Sequence, residues 1–137
     1  MMSVSSRCEK IHVCDEIGVI NVRHIVQTHV KKLGFGIISQ TKIITATSEL
    51  ARNIERYARK GTVYIEHIER NGRKGLKLTF EDMGPGILDI SKAMEDGFTT
   101  SGGLGLGLPG TKRLMDEFQI KSAVGQGTVI TIVKWVE

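Results

Sequence analysis

Four short motifs limit what this chain can fold into more tightly than its composition does. They are Glu49-x-x-x-Asn53, Asp82-Met83-Gly84-Pro85-Gly86, Gly102-Gly103-Leu104-Gly105-Leu106-Gly107 and Gly127-Thr128. Carboxylates, amides and glycines are the residue types that contact cations, bases and phosphates. Helix-like and strand-like segments separate the motifs, so one fold has to bring them together. In this order they predict a single nucleotide pocket.

Size and composition are those of an ordinary soluble domain. The chain has 137 residues, 40% hydrophobic and 25% charged, which predicts one domain over 1–137 with a single core. There is neither an apolar run of the roughly 20 residues that a membrane span needs nor a signal peptide at the N-terminus, so we expect a cytoplasmic protein without a membrane partner. Cys8 and Cys14 in one predicted strand would lie roughly 20 Å apart, beyond disulfide reach.

The basic charge does not by itself indicate nucleic-acid binding. The net charge is +4, but the basic residues are scattered and aromatic residues make up only 5%, too few for an obvious base-stacking surface. We therefore expect no nucleic-acid partner. The four histidines show no paired spacing for a metal, so packing or surface roles are expected for them.

Hydrophobic periodicity predicts three helices and five strands. The predicted elements are a strand at 8–13, helices at 17–33 and 39–60, strands at 62–69 and 75–81, a helix at 106–118, and strands at 119–124 and 127–135. Asp15 is the predicted N-cap of the first helix, and Asn71-Gly72 predicts a tight hairpin. A loop at 83–104 has at most a short helix at 90–95. This order predicts an α+β fold, a two-layer sandwich of a mostly antiparallel sheet with helices on one face.

The first predicted helix has an apolar face that is expected to pack in the core. Apolar residues recur through the first helix and predict its buried stripe, which comprises Ile17, Ile20, Val22, Ile25, Val26, Val30 and Leu33.

In the second helix, Glu49 and Asn53 are four residues apart and therefore project from the same side. An Asn oxygen suits Mg²⁺, and a carboxylate one turn away can accept a proton from an attacking hydroxyl or water. An exposed polar pair without a function is the alternative.

Asp82 and the glycine loop predict contacts to the two ends of a nucleotide. A carboxylate leaving a strand can accept a hydrogen bond from an exocyclic amino group, although a plain surface turn has the same pattern. The loop running into a helix offers bare amides to phosphate; glycines of an unliganded hinge are the alternative. Its G-x-G-x-x-G match lacks the preceding strand and the later acidic residue of a dinucleotide site. There is also no P-loop, and the H-R-D and D-F-G motifs of eukaryotic-type kinases are absent.

Taken together, the motifs resemble the N, G1, G2 and G3 boxes of the GHKL superfamily, whose members share the Bergerat ATP-binding fold. Residues 48–53 and 81–86 resemble the small bacterial anti-sigma-factor serine/threonine kinases. The run at 95–116 and the closing Val133-Lys134-Trp135 are similar to the switch kinases of the stressosome. The resemblance covers essentially the whole chain.

The resemblance implies a role for each motif. Glu49 would be the general base and Asn53 the Mg²⁺ ligand, while Asp82 would bind the adenine amino group. The remaining nucleotide contacts would come from Gly84, Gly86, Ser101, Gly102, Gly103, Leu104, Gly105, Leu106, Gly107 and Thr128, under a lid at 89–104. The family would phosphorylate Ser or Thr of STAS-domain proteins, the stressosome scaffold and antagonist subunits. When released, it would bind and activate a PP2C-type phosphatase.

Two other functions remain as alternatives at this point. A non-catalytic, ATP-gated module that sequesters a sigma factor would need the same pocket but no base beside Asn53, so Glu49 favours the kinase. A histidine-kinase catalytic domain would need a phosphoacceptor helix pair before Glu49, where a predicted strand and helix already lie.

Overall fold

The computed structural model describes residues 4–84, 94 and 107–137. Its elements are β1 (Val4–Val13), α1 (Glu16–Leu33), α2 (Ile37–Asn53), a π-helical turn (Ile54–Ala58), β2 (Gly61–Arg70), β3 (Arg73–Asp82), α3 (Gly107–Leu114), β4 (Glu117–Ala123) and β5 (Gly127–Trp135). The short helix predicted at 90–95 and most of the predicted lid at 89–104 lie outside the described residues.

The five described strands form one sheet in the order β1-β2-β3-β5-β4, and every neighbouring pair is antiparallel. β3 is the central strand, and its alternate residues Leu76, Leu78 and Phe80 are buried. They pack with buried residues of α1 and α2 in one apolar core, as the pleat of a strand with one covered face requires. The predicted α+β sandwich is confirmed.

α1 begins and ends as its sequence predicts, but its buried stripe is narrower. The Asp15 carboxylate accepts from the Gly18 N–H at 2.8 Å, and Gly34 closes the helix with a left-handed φ of 85°, a conformation that favours glycine. The buried face is Val19, Val22, Val26 and Val30. Ile17 and Ile20 are 66% and 45% exposed, so their predicted place in the core is wrong. Helical spacing alone could not say which edge of a wide apolar stripe meets the sheet.

The second helix ends earlier than predicted. α2 stops at Asn53, and the π-helical turn that follows closes at Arg59, whose N–H donates to the Ile54 carbonyl at 2.8 Å. Arg59 has a left-handed φ of 70°, and Gly61 begins β2. The π turn is only five residues long, too short for a change in hydrophobic spacing to show in the pattern.

The hairpin between β2 and β3 confirms the Asn71-Gly72 prediction. These two residues have φ values of 55° and 79°, as a two-residue turn with both central residues left-handed requires. The register of this turn places Gly61 opposite Asp82 at the far end of the pair. α3 is shorter than the helix predicted at 106–118, because the Asp116 N–H already donates to the Val133 carbonyl of β5 at 3.0 Å.

A partly buried chain of hydrogen bonds joins α1 to the first two strands. His29 Nε2 donates to Glu9 Oε1 at 2.7 Å, and His29 Nδ1 lies 2.8 Å from His67 Nε2. Because the carboxylate only accepts, it keeps the proton of His29 on Nε2, and His67 Nε2 must donate to His29 Nδ1. Burial, then the charges of His29 and Lys32, lower the pKa of His67 below its usual 6.5.

This lowered pKa predicts that the fold loses stability in mild acid. The unfolded chain takes up the His67 proton at a higher pH than the folded chain does. The contribution of His67 is therefore fully present above about pH 6.5 and is lost as the pH falls from there through the lowered pKa. His67→Gln keeps a donor for His29 but cannot titrate, so we expect a shallower fall in unfolding free energy. Urea unfolding across this range checks it, with exposed His24→Gln as the control; an unchanged pH slope in His67→Gln would contradict the assignment.

Candidate functional site

The predicted site residues meet at the end of the sheet where α2 and β3 both stop. Asn53 ends α2, Asp82 ends β3, and Thr128 lies opposite Asp82 in β5. The π-helical turn crosses from Asn53 to this edge and packs against Gly84. Residue Gly107 begins α3, which packs beside α2. The structure thus brings Asn53, Asp82, Gly84 and Thr128 to one edge of the sheet, and Gly107 belongs to a helix that packs beside α2.

Glu49 and Asn53 lie on the last turns of α2, one turn apart. Glu49 is only 7% exposed, and Asn53 is half-buried. The neighbouring hydroxyls of Thr47 and Ser48 donate to backbone carbonyls one turn earlier in the helix, at 2.7 and 2.8 Å. A buried carboxylate is costly to desolvate, and groups that bear such a cost concentrate at functional sites. The alternative of an exposed polar pair is wrong for Glu49.

The Asp82 side chain is held in place by its own loop. Its Oδ1 accepts from the Gly84 N–H at 2.8 Å. Burial raises the pKa of Asp82 above its ordinary 3.8, and hydrogen bonds from the backbone of Gly84 and Thr128 oppose part of that rise. An oriented, partly desolvated carboxylate is a strong hydrogen-bond acceptor for an amino group.

Glycine is required where β5 begins. A Cβ on Gly127 would lie 2.1 Å from the Asp82 carbonyl oxygen, and the φ of Gly127 is 88°. Both observations exclude a side chain at this position without movement of the backbone. The close approach of Gly127 to Asp82 explains why a motif with little information by itself belongs to the site.

Thr128 is buried and is positioned by a residue that the sequence argument did not identify. Its Oγ1 lies 2.8 Å from Ser122 Oγ, which also donates to the Gly127 carbonyl at 3.0 Å. Ser122 faces Thr128 across the β4–β5 pair. Counting outward from the turn at Gly125 would have found this pairing, so a signal for Ser122 was present in the sequence.

Most of the predicted phosphate loop lies outside the residues that the structure describes, and so does Gly86 of the preceding motif. Gly86, Ser101, Gly102, Gly103, Leu104, Gly105 and Leu106 lie outside the described residues. Gly107 is described, and it begins α3 with a left-handed φ of 70°. A glycine in that conformation at a helix start is compatible with the predicted loop-to-helix phosphate contact.

Comparison with known proteins identifies the family. The model of the histidine kinase-, DNA gyrase B- and HSP90-like ATPases matches residues 38–137. The chain belongs to this GHKL ATPase family. Membership of this family, together with a relative named as a kinase, implies that the chain uses ATP.

Two relatives identify the class of GHKL protein to which the chain belongs. The chain is 53% identical over 126 residues to the serine/threonine-protein kinase RsbT of Bacillus subtilis (strain 168), covering 92% of this chain and 95% of RsbT. It is 34% identical over 122 residues to an anti-sigma F factor of Thermoanaerobacter sp. (strain X514), covering 83% of this chain and 82% of that protein. The chain is a GHKL serine/threonine kinase of the partner-switching type, which confirms the predicted resemblance.

A solved structure supports the fold. The crystal structure of the RsbU and RsbW domains of a Mycobacterium tuberculosis protein matches with a TM-score of 0.62 at 16% identity, covering 93% of this chain. This chain spans 32% of that one. The likeness bears on the fold alone. Within the described residues, no helix has both the length and the apolar character that a bilayer-spanning segment requires.

The raised pKa of Asp82 predicts that ATP binding weakens in acid. Protonation removes an acceptor lone pair and the charge, so we expect ATP affinity to fall as the pH drops through the raised Asp82 pKa. The contribution of Asp82 to the free energy of unfolding changes in the opposite direction. Because the folded state holds the Asp82 proton more tightly than the unfolded state does, this contribution increases as the pH falls. Asp82→Asn should bind ATP about tenfold to a hundredfold more weakly at neutral pH, as expected for the loss of a charged hydrogen bond.

ATP titrations of both proteins at several pH values test this expectation. The ratio of the two dissociation constants removes the titration of the ATP phosphates, which affects both proteins alike. This ratio should shrink as the pH falls. A constant ratio, or equal affinities at neutral pH, would contradict an Asp82 contact with the base.

Proposed function

We propose that this partner-switching kinase transfers the γ-phosphoryl group of ATP to a Ser or Thr hydroxyl of STAS-domain proteins, the scaffold and antagonist subunits of a stressosome. The observation that carries the catalytic part is the buried Glu49 one turn before Asn53. The substrate class rests on the resemblance of residues 48–53, 81–86 and 95–116 to the stressosome switch kinases. Since the reaction consumes ATP, we propose a cytoplasmic location.

In this proposal Glu49 is the general base. The acceptor hydroxyl oxygen forms a bond to the γ-phosphorus while the bond from that phosphorus to the β,γ-bridging oxygen breaks. ADP leaves with the electron pair, and the hydroxyl proton passes to the Glu49 carboxylate. General bases of this kind contribute about a hundredfold to ten-thousandfold in rate. Their value depends on position, and α2 is a rigid element that is buried along one side.

Asn53 fits the role of the magnesium ligand. Its side-chain oxygen is a hard donor, and Mg²⁺ commonly takes only one or two protein ligands, completing its octahedron with water and phosphate oxygens. Among the described residues there is no group of three or more His, Cys, Asp or Glu that could hold a metal ion, so the donor set matches a nucleotide-bound cation better than a protein cage. When bound, Mg²⁺ would neutralise phosphate charge during transfer.

The other site residues would bind and orient ATP. Asp82 would accept from the adenine amino group, with Thr128 and Gly86 beside the base and Gly84 supporting the carboxylate. Gly103, Gly105 and Gly107 would meet the phosphates, together with the neighbouring loop residues Ser101, Gly102, Leu104 and Leu106. This arrangement separates base recognition at the β3 end from chemistry at the α2 end.

A second candidate function is ATP-gated binding of a sigma factor without phosphorylation. The 34% identical relative named as an anti-sigma F factor favours it. Binding of a partner needs no base, however, and a buried carboxylate next to the magnesium ligand would then have only a cost. We therefore propose phosphoryl transfer, and not binding of a sigma factor alone, as the primary function.

The partner-switching step would couple phosphorylation to a phosphatase. By the family resemblance, phosphorylation of the STAS partners would release the kinase, which would then bind and activate a PP2C-type phosphatase. The support for this step is the resemblance alone.

Replacing Glu49 should separate binding from transfer. Glu49→Gln preserves shape and removes the proton acceptor, so we expect ATP affinity within about twofold of wild type and a loss of transfer rate of about a hundredfold or more. Single-turnover phosphorylation and an ATP titration measure the two quantities. Glu69→Gln, at an exposed position of β2, is the matched control and should change neither. Full transfer activity in Glu49→Gln would exclude the base role.

The substrate class is tested directly with labelled ATP. The purified protein is incubated with γ-labelled Mg-ATP and the STAS-domain proteins of the same genome, and the labelled residue is mapped by mass spectrometry. Label on a Ser or Thr of a STAS domain supports the proposal. Label on His, or on no STAS protein while ATP binding is intact, would overturn it.

A further inference from the structure

The π-helical turn is the described segment that joins the two halves of the site. It starts directly after Asn53, at the end where transfer is proposed, and its last residue, Ala58, reaches the loop after Asp82. π turns are rare, and they occur often at functional sites. Arg59, which closes the turn, has the left-handed φ of 70° that a non-glycine residue adopts only at a cost. The neighbouring structure must therefore stabilise this unusual backbone.

Two contacts show what the turn packs against. A Cβ built on Gly84 would lie 2.7 Å from Ala58 Cβ and 2.9 Å from Ala58 Cα. A Cβ built on Gly61 would lie 2.8 Å from Ile54 Cγ2 and 2.5 Å from the Glu81 carbonyl oxygen. The turn thus meets bare glycine backbone at both of its ends, with no space for even a methyl group.

Both glycines are also next to the Asp82 side chain. The same constructed Cβ atoms lie 3.1 Å from Asp82 Oδ1, for Gly84, and 3.2 Å from Asp82 Cβ, for Gly61. Gly84 additionally donates its N–H to Oδ1. Any displacement of Gly84 by the turn would therefore move a hydrogen-bond donor of the carboxylate. The chain of contact runs from Ala58 through Gly84 to Asp82.

We propose that Ala58 is a positioning residue for nucleotide recognition, which acts through Gly84 to hold the Asp82 carboxylate at the distance from Asn53 that ATP requires. Ala58 itself need not touch the nucleotide. This inference rests on the proposed contact between Asp82 and the adenine amino group. It adds that the size of the side chain at position 58 determines how strongly Asp82 binds that amino group.

The decisive measurement compares ATP with purine riboside triphosphate, which lacks the exocyclic amino group. Wild type should prefer ATP by about tenfold or more, the value of one good hydrogen bond to a charged acceptor. In Ala58→Val the added methyl groups press on Gly84, so we expect a weaker affinity for ATP, a nearly unchanged affinity for the analogue, and a preference close to one. The kcat at saturating ATP should stay within about twofold, because the transfer end of the site is unchanged.

A matched control separates positioning from general destabilisation. Ala46→Val makes the same change at a fully buried position of α2, two turns before Asn53. It should lower the melting temperature and leave the preference for ATP intact. Thermal unfolding of each variant gives the comparison. If Ala58→Val does not fold, Ala58→Ser, which adds one atom, provides the same measurement.

A double-mutant cycle tests the contact itself. Gly84→Ala should lose the preference for ATP, because its new methyl group meets Ala58. Ala58→Gly in the same chain removes one of the two close atoms and should restore part of the preference, whereas independent effects would add.

The outcomes distinguish the inference from the function on which it rests. A wild type that prefers ATP, with Ala58 and Gly84 variants that prefer it equally, would overturn the positioning role and leave the Asp82 contact standing. A wild type that does not distinguish the two nucleotides would contradict the Asp82 contact and overturn the inference with it. Loss of affinity for both nucleotides in equal proportion would show a merely structural role.

Discussion

The pairing of β3 with both of its neighbours is the constraint on which the rest of the molecule depends. β3 is the centre of the sheet, and its buried face supplies Leu76, Leu78 and Phe80 to the core under the helices. Because the same strand ends in Asp82, the packing that stabilises the domain also determines where the carboxylate proposed to bind the base lies. β5 completes the arrangement by approaching so closely that only glycine fits at Gly127. The residues that stabilise the core and the residue proposed to recognise the base therefore share one strand, whereas the residues of the proposed chemistry lie on a helix.

That division has a physical consequence for catalysis. Glu49 and Asn53 are rigidly spaced because they share α2, and Asp82 and Thr128 are rigidly spaced because they face each other in the sheet. The distance between the pairs depends on how the helix layer is joined to the sheet. The π-helical turn is such a junction, and it contacts the sheet edge through Ala58 and Ile54. The partly buried hydrogen bonds among Glu9, His29 and His67 join the two layers elsewhere, through α1.

Much of the fold followed from local patterns, and the errors have identifiable causes. The Asp15 cap was predictable because few side chains can accept a hydrogen bond from the first turn of a helix. The Gly34 end and the Asn71-Gly72 turn were predictable because both depend on left-handed backbone that few residues adopt. Ile17 and Ile20 were wrongly expected in the core, because a helix with a wide apolar stripe can turn either edge toward the sheet. The helix at 39–60 was expected to run unbroken. The π turn is only five residues long and ends the helical segment, so too few residues follow Asn53 for a changed hydrophobic spacing to be read from the sequence.

The sequence by itself determined the parts of the site and their order: a carboxylate and an amide one helical turn apart, an aspartate after a strand, a glycine loop and a glycine before the last strand. Residue type and short spacing suffice for these features, because they act within one element. Only the tertiary structure decided that Glu49 is buried, that Gly127 lies against Asp82 and that Ala58 meets Gly84. These are contacts between elements distant in the chain, and they depend on register and helix orientation, which no local pattern specifies.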